Sequence, residues 1–373
     1  MTAIVTDTHY RMAVALIRDL GEAGVRVIAC DFDDISEDPG AVSRYVSSRV
    51  RIRRQSAVGD IEALCRSVCE TDGIAPALLP VGSRTQAQLA AASERLEKCA
   101  GLLLPTPRQL DRWNDKSAVA QIASELGILV PRDFDQSSAK PEYPAIVKPA
   151  CGEKFGLSAA ARYLIVHDRA ELDRAVIHFR DITGETPIIQ EYLTGGAAGC
   201  SILCDRGHVA AHICHRRVRE YPVSGGPSSC CEVIEDDRLL DAARRMAEEA
   251  GYTGVAMIEF KAGDDGEWRL LEINPRVWGT YPLVRASGSN FSYMWFALAA
   301  RLEVPEYSAP KPIRMVYYPS DMAACLGYLK RGDFGRFFGG ISDFFSPSVK
   351  NGLRDREDSE PYREYLRSLR HRR

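Results

Sequence analysis

The sequence predicts a protein that begins as an α/β domain and continues as an α+β unit. Strand and helix patterns alternate over the first 105 residues, the pattern then changes, and two apolar strands joined by a Gly-Asp-Asp-Gly turn follow near residue 260. Strands that alternate with helices of this length form parallel, doubly wound sheets, whereas a tight turn between two strands forms an antiparallel hairpin. We therefore expect a parallel sheet first and antiparallel strands later in the chain.

The composition narrows the class of protein. The chain has 373 residues, of which 45% are apolar and 27% charged, and its formal charge is −3. These values are ordinary for a globular protein of roughly two or three domains. They give no electrostatic reason to expect nucleic acid or an anionic membrane as a partner. No apolar run reaches the roughly 18 residues of a membrane helix, and the N-terminus lacks a basic leader, so we expect a cytoplasmic protein.

Metal binding by cysteine or histidine is not indicated. The 11 cysteines include no CxxC pair, which favours reduced thiols that fill core space over a zinc site. His212 and His215 lie three residues apart on a predicted strand and would point to opposite faces, so a metal role for the pair is disfavoured.

The N-terminal region is predicted to alternate between strands and helices. The strands are "AIVT", "VRVIACD", "PALLPVG" and "GLLLPTP", and the helices between them are "YRMAVALIRDLGEAG", "DIEALCRSVCETDG" and "RTQAQLAAASERLEKC". No G-x-G-x-x-G follows the first strand, so a dinucleotide is not indicated. The turn "VTDTHYR" either contacts a ligand at the strand end or is a plain turn.

The chain from about residue 105 to 193 is predicted to be a smaller α+β unit. A helix begins near Asn114, a strand and a small-residue loop follow in "YPAIVKPACGEKFGL", and the unit ends with the helix "RAELDRAVIHFRDI" and the strand "IIQEYLTGG". Strands return after residue 199, followed by the helices "DRLLDAARRMAEEAG" and "YPLVRASGSNFSYMWFALAARL" and a charged tail that we expect to end as a solvated helix.

The hairpin near residue 260 carries the most informative polar residues. Glu259 ends the run "GVAMIEF", and Glu272 and Asn274 end the run "WRLLEIN" that follows the turn. On two antiparallel strands these carboxylates can lie side by side, and with an amide oxygen they form a ligand set suited to Mg²⁺. A surface hairpin with solvated charges is the alternative, which the apolar residues on either side disfavour. Arg276 follows two residues after Asn274.

Two lysines and a strand end can serve a nucleotide. Lys148 lies inside an apolar strand, where lysine is rarely without a partner, and the loop after it contains Gly152, Gly156 and Ser158. A lysine that extends to solvent beside a surface loop is the alternative. Lys116 starts a helix, a position that ordinarily favours anions. The strand that ends in Glu191, Tyr192 and Leu193 resembles a hinge whose backbone could read an adenine edge.

Arginines in "CHRRVREYP" are candidates for substrate binding. Alternation along a strand predicts that Arg217 and Arg219 share one face, where they could grip a substrate carboxylate. A structural ion pair is the alternative for both. Gly225 and Gly226 suggest close approach of the backbone to a ligand, and Arg285 is a weaker candidate.

In their order and spacing these motifs resemble the ATP-grasp superfamily, which includes carbamoyl phosphate synthetase, biotin carboxylase and D-alanine–D-alanine ligase. The matching stretches are "NDKSAVAQIASELGI", "YPAIVKPACGEKFG", "IIQEYLTGG", "VAMIEF" and "LLEINPRVWGTYPLVRASGSNF", within residues 1 to 305. The sequence looks closest to predicted carboxylate–amine ligases, which also carry a stretch similar to "CHRRVREYPVSGGPSSCCE".

The resemblance implies an ATP-grasp fold with four parts. They are an N-terminal doubly wound parallel-sheet (pre-ATP-grasp) domain at 1–108, a central lid subdomain at 109–193, a C-terminal antiparallel-sheet catalytic subdomain at 194–309 and an extension at 310–373. It implies ATP and Mg²⁺ as cofactors, with Mn²⁺ as an alternative metal. It also suggests a homodimer through the N-terminal domain.

The resemblance also implies roles for the candidate residues. Lys116 and Lys148 would hold the nucleotide phosphates under a lid at 151–158, and the 191–193 strand end would meet the adenine. Glu259, Glu272 and Asn274 would coordinate Mg²⁺, and Arg276 would face the γ-phosphate. Many members place an acidic ribose ligand after the hinge, where this chain has "GGAAG", so that role is unassigned.

The implied function is an ATP-dependent ligase that activates a carboxylate as an acyl phosphate and joins it to an amine. Its substrates would be small molecules. A carboxylase that uses bicarbonate and a catalytically inactive nucleotide-binding module are the alternatives, and the complete set of candidate metal ligands argues against the second.

Overall fold

The structure is a computed structural model that describes residues 1–134, 142–149, 155, 157, 161–223 and 225–371. In these residues the strands form three sheets. The first sheet is built by β1 (Thr2–Thr6), β2 (Arg26–Phe32), β3 (Val46–Ile52) and β4 (Ala77–Leu79), with the helices α1 (Arg11–Glu22), α2 (Ala57–Asp72), α3 (Ser83–Ala91) and α4 (Ser93–Leu96) between and after them. Its order is β3-β2-β1-β4 and every pairing is parallel, which confirms the predicted doubly wound region.

Two details of this region differ from the prediction. The stretch "GLLLPTP" is not a strand, because only Gly101 makes a bridge, with Ala77. Pro105 and Pro107 lack the N–H groups that a ladder requires. Conversely, the strand β3 was not predicted, and its polar residues "VSSRVRI" make an edge strand with alternating exposure.

The second sheet is small and antiparallel. After α5 (Pro107–Asn114) and α6 (Lys116–Glu125) come β5 (Ala145–Lys148), β6 (Leu164–Val166), α7 (Arg169–Thr183) and β7 (Ile188–Glu191). The strands pair in the order β6-β5-β7, and α7 covers them with a separate apolar cluster that includes Val147, Phe179 and Ile189. Asp115 caps α6 by accepting from the N–H groups of Ser117 and Ala118, which places Lys116 in the first turn of that helix.

The third sheet carries the hairpin of interest at its edge. Its strands are β8 (Ala197–Asp205), β9 (His208–Glu220), β10 (Ser228–Val233), β11 (Gly254–Ala262), β12 (Trp268–Asn274), β13 (Arg314–Val316) and β14 (Val349–Asn351). Their order is β12-β11-β8-β9-β10-β13-β14, antiparallel except for the β13–β14 pair. The remaining helices are α8 (Asp237–Ala250), α9 (Pro282–Ala286), α10 (Phe291–Ala299), α11 (Ser320–Lys330), α12 (Phe334–Phe345) and α13 (Glu360–His371).

The helix predicted after the N-P-R motif is two helices in the structure. Gly288 lies between α9 and α10 with φ +71°, a left-handed conformation that glycine adopts without a side-chain clash. Trp278, Tyr281 and Trp295 belong to the same apolar cluster as Val5 and Leu79 of the first sheet. This shared core holds the first sheet against the third and places the carboxyl ends of the parallel strands beside the N-P-R loop.

The cysteines and the helices are consistent with a packed globular chain. The cysteines of the described residues are all free, and all but Cys69 are buried, as expected for thiols that fill core space. Burial raises the pKa of the Cys65 thiol to about 12.

Within the part of the chain that the structure describes, none of the helices combines the length and the apolarity needed to cross a membrane.

The expectation that Arg217 and Arg219 share one face of their strand is wrong. Cys230 of β10 pairs with Arg219 and Cys231 pairs with Arg217, so Val218 between them is a bulge with no opposing residue. A bulge reverses the alternation of side chains beyond it. Arg219 therefore points toward the C-terminal helices, where its guanidinium lies 2.9 Å from Asp321 of α11 and 2.8 Å from Asp343 of α12.

We predict that replacing Arg219 destabilises the protein strongly. Arg219 and both aspartates are almost fully buried, so Arg219→Met leaves Asp321 without its cation and Asp343 with Arg314 alone, at a cost of about 3–5 kcal/mol. Urea unfolding followed by tryptophan fluorescence measures the effect. The control is Arg206→Met, at a side chain that is 86% exposed and should change the free energy of unfolding by less than about 0.5 kcal/mol. Equal effects for the two variants would contradict the structural role.

Candidate active site

Two carboxylates face each other across the edge hairpin. Glu259 of β11 is directly opposite Glu272 of β12, and Met257 is opposite Asn274. Residues opposite each other on antiparallel strands have Cβ atoms about 5 Å apart, and like charges at this separation destabilise the pair. The two carboxylates therefore need positive partners.

Each carboxylate has its own cation. Lys116 Nζ, at the start of α6, lies 2.7 Å from Glu272 Oε2, and Arg217 Nη2 of β9 lies 2.6 Å from Glu259 Oε1. Arg217 reaches Glu259 across β8, where the residue paired with Glu259 is Gly199, which has no side chain to block the contact. The two cations come from α6 and β9, outside the hairpin, and their charged groups lie at its carboxylates.

The N-P-R loop adds an amide and a guanidinium to the same cluster. Asn274 Nδ2 donates to Glu272 Oε1 at 3.3 Å, and Arg276 Nη2 donates to Asn274 Oδ1 at 3.1 Å. The loop is held from the first sheet, because Gln86 Nε2 of α3 donates to the carbonyl of Pro275 at 2.8 Å. Glu272, Asn274 and Arg276 thus form a continuous hydrogen-bonded row.

The two carboxyl groups differ in their proton affinity. Burial raises the pKa of Glu259, and repulsion from Glu272 adds to this, while Arg217 opposes it. Burial also acts to raise the pKa of Glu272, but attraction to Lys116 and hydrogen bonds from Lys116 and Asn274 outweigh it, so that pKa is lowered. An additional cation between the two carboxylates would relieve their repulsion.

Lys148 lies close to this cluster, at the end of β5. It lines a cavity of about 30 Å³ with Lys116, Asp133 and Gln190. Burial lowers the pKa of Lys148 to about 8, and repulsion from Lys116 contributes. This cavity has room for roughly one or two water molecules, far less than a ligand pocket of at least about 300 Å³.

The predicted adenine hinge is partly engaged by other groups. The backbone N–H of Glu191 donates to the Arg132 carbonyl at 2.9 Å, and the Glu191 carboxylate lies 3.3 Å from Arg132 Nε. Leu193 is buried, and the Tyr192 ring lies 5.1 Å from Lys261 Nζ. A backbone contact to adenine therefore has to use atoms other than the Glu191 N–H.

Several candidates lie elsewhere. Gly152, Gly156 and Ser158 fall outside the described residues. Arg219 binds the C-terminal helices, and Arg285 pairs with Asp19, Glu22 and Asp355 rather than with the cluster. A cavity of about 350 Å³ also lies away from the cluster, between β10, β13, β14 and α12.

His215 is a neighbour of the site that was not predicted from the sequence. Its Nε2 lies 3.1 Å from Thr280 Oγ1, and its ring covers Gly199, where an added Cβ would lie 2.9 Å from Cε1. Burial lowers the pKa of His215 to about 3, with a contribution from Arg217, so the ring is neutral. Its position two residues before Arg217 on one strand was the available signal.

The donor set at the hairpin is small. No group of three or more histidine, cysteine, aspartate or glutamate side chains that could hold a metal occurs within the described ranges. The candidate set consists instead of two carboxylates and the amide oxygen of Asn274. These are hard oxygen donors, and Mg²⁺ characteristically binds through one or two carboxylates while it keeps waters and shares phosphate oxygens.

Part of the chain matches the model of a known protein family, and the chain spans only part of the length of its relatives. The family described as "ATP-grasp in the biosynthetic pathway with Ter operon" matches residues 183–320. The carbamoyl phosphate synthase large chain of Halomonas eurihalina is 25% identical over 263 residues, which are 66% of this chain and 23% of the relative. The chain thus spans about a quarter of the length of this relative.

Solved structures share the fold over most of the chain. Biotin carboxylase from Campylobacter jejuni, solved as a β-γ-ATP complex, gives a TM-score of 0.62 with 17% identity, covering 83% of this chain and 73% of that one. The L-amino acid ligase from Bacillus licheniformis gives a TM-score of 0.55 with 16% identity, covering 82% and 75%. The three-sheet architecture and these similarities show that the chain has the ATP-grasp fold.

Proposed function

We propose that the protein is an ATP- and Mg²⁺-dependent ligase that activates a carboxylate as an acyl phosphate and joins it to an amine. The observation that carries this proposal is the pair Glu259 and Glu272, set side by side and each held by a cation. A site that contains both paired carboxylates and surplus cations suits a polyphosphate with its divalent metal. The carboxylates bind the metal, and the cations bind the phosphates.

The metal site consists of Glu259, Glu272 and Asn274. Their oxygen atoms fit Mg²⁺, and Mn²⁺ accepts the same ligand type. The bound metal supplies positive charge that stabilises the phosphoryl group during transfer. Lys116 and Arg217 hold the two carboxylates, and with Mg²⁺ bound there their charges would be available to phosphate or substrate.

The reaction requires positioning and charge neutralisation more than covalent catalysis. An oxygen of the substrate carboxylate attacks the γ-phosphorus, and the bond to the bridging oxygen breaks to release ADP. The amine nitrogen then attacks the acyl carbon, phosphate leaves, and the nitrogen loses a proton. Arg276 and Lys148 face the transferred phosphate, and Arg217 holds the substrate carboxylate.

The remaining assignments follow from the family resemblance. Glu191, Tyr192 and Leu193 contact the adenine, and Gly152, Gly156 and Ser158 form the lid over the phosphates. By the same resemblance, residues 194–309 form the catalytic subdomain, and residues 109–193 form the ATP-binding lid subdomain. The L-amino acid ligase among the similar structures supports amide formation. Because a biotin carboxylase is also among them, carboxylation with bicarbonate is the alternative reaction.

The test is ADP release from the purified protein with Mg²⁺ and ATP. Panels of amino acids and small carboxylates are supplied singly and in pairs, and bicarbonate is supplied separately. Turnover that needs both a carboxylate and an amine, with the amide found by mass spectrometry, supports the ligase. Turnover on bicarbonate alone identifies a carboxylase, and ATP binding without turnover under any condition identifies an inactive module.

We predict that Glu272→Gln lowers turnover by at least about a thousandfold, because the metal loses a carboxylate at the developing phosphate charge. The matched control is Glu267→Gln in the turn of the same hairpin, where the side chain is 52% exposed. It should keep turnover within about twofold of the wild-type rate. Circular dichroism establishes that both variants are folded. Similar rates for the two variants would remove Glu272 from the proposed metal site.

We also predict that ATP affinity falls as the pH rises above about 8. Lys148 attracts phosphate only when protonated, and burial lowers its pKa to about 8. The dissociation constant of a non-hydrolysable ATP analogue should rise by up to about tenfold per pH unit beyond that value. Calorimetric titration from neutral to alkaline pH measures the effect. Lys148→Arg keeps its charge and should remove this dependence, whereas an equally steep profile in both proteins would exclude Lys148 as the titrating group.

A further inference from the structure

Helix α12 turns an apolar stripe toward solvent. Phe334, Phe338, Ile341 and Phe345 are 57%, 64%, 43% and 79% exposed. Their spacing of four, three and four residues places all four on one face of a helix. A surface helix ordinarily packs such a face against the protein core. In α12 the apolar face is instead exposed to solvent.

The opposite face of α12 holds the helix in this orientation. Gly340 packs so closely on α11 that an added Cβ would clash with Cys325 Sγ. Asp343 receives Arg219 and Arg314, each at 2.8 Å. Because the buried side is fixed by an ion-pair network and a close helix contact, α12 cannot rotate its apolar stripe inward.

The stripe has the size and the spacing of a helix-pairing seam. Alternating intervals of four and three residues are those of the a and d positions of a heptad, which pack against another helix. With the neighbouring Phe344, which is 51% exposed, these side chains leave roughly 600 Å² of apolar surface in solvent. That is at the upper limit for a monomer and approaches the roughly 800 Å² that each partner contributes to a stable interface.

The charges on α12 favour a protein partner over a lipid surface. Arg336 is its one basic side chain, and it lies beside Asp333, the residue that caps the helix. Helices that lie on membranes carry several lysines or arginines on the polar face. The helix also contains Gly335, Gly339 and Gly340, and glycine lowers helix stability by about 1 kcal/mol per residue, so a packed partner would add support that the sequence alone does not provide.

We propose that two copies of this chain form a twofold-symmetric dimer in which the α12 seams pack against each other. A seam of identical apolar residues is self-complementary, as a twofold interface requires. This interface lies on the C-terminal helices, not on the N-terminal domain that the family resemblance suggests. The proposal does not depend on the reaction that the protein catalyses.

The experiment measures the oligomeric state of the full chain by sedimentation velocity and light scattering over a dilution series. The wild type should be a dimer. Phe338→Glu places a charge at the centre of the seam and should raise the dimer dissociation constant by at least about thirtyfold. The matched control is Ile177→Glu on α7, at a side chain that is 58% exposed and outside the seam, and it should leave the dimer intact.

A second variant guards against misfolding. Phe345→Glu changes the most exposed residue of the seam at the end of the helix, and it should also give a folded monomer by circular dichroism. A wild type that is monomeric at its highest soluble concentration overturns the proposal, as does a dimer that survives both seam variants. A monomeric wild type that sediments with phospholipid vesicles overturns it in favour of a membrane surface.

Discussion

The close approach of Glu259 and Glu272 is the constraint on which the site depends. Two carboxylates opposite each other on paired strands repel, and partial burial strengthens that repulsion. Ion pairs offset this repulsion, one with a lysine at the start of α6 and one with an arginine of β9. These contacts tie α6 and β9 to the hairpin, so the repulsion that makes the pair a suitable place for the proposed metal also holds the surrounding elements together.

The sequence predicted the parts of the fold that rest on local pattern. The alternation of strands and helices before residue 105 led to the parallel sheet, and the Gly-Asp-Asp-Gly turn led to the hairpin and the neighbouring carboxylates. Predictions failed where a single residue changed the pattern. Val218 adds a bulge that sends Arg219 to the other face, and Gly288 divides one expected helix into two.

Contacts between distant segments lay beyond reach of the sequence. Nothing near Arg219 indicates that its carboxylate partners come from residues 321 and 343, and nothing near Pro275 indicates that Gln86 binds its carbonyl. The family resemblance supplied the order of the motifs and the roles proposed for them, because it relates motifs that are far apart in the chain. It did not reveal that Glu191 uses its N–H within the protein, since that contact depends on the local path of Arg132.

The bulge at Val218 has a consequence for how the chain tolerates change. Arg217 and Arg219 are separated by one residue, yet each is fastened to carboxylates on a different side of the sheet. A shift of β9 by one residue would break the ion pairs of both arginines at once. Contacts on both faces of the sheet therefore fix the register of this strand. Deletion of the bulged residue would therefore disturb the hairpin carboxylates and the C-terminal helices together, although neither lies in the deleted segment.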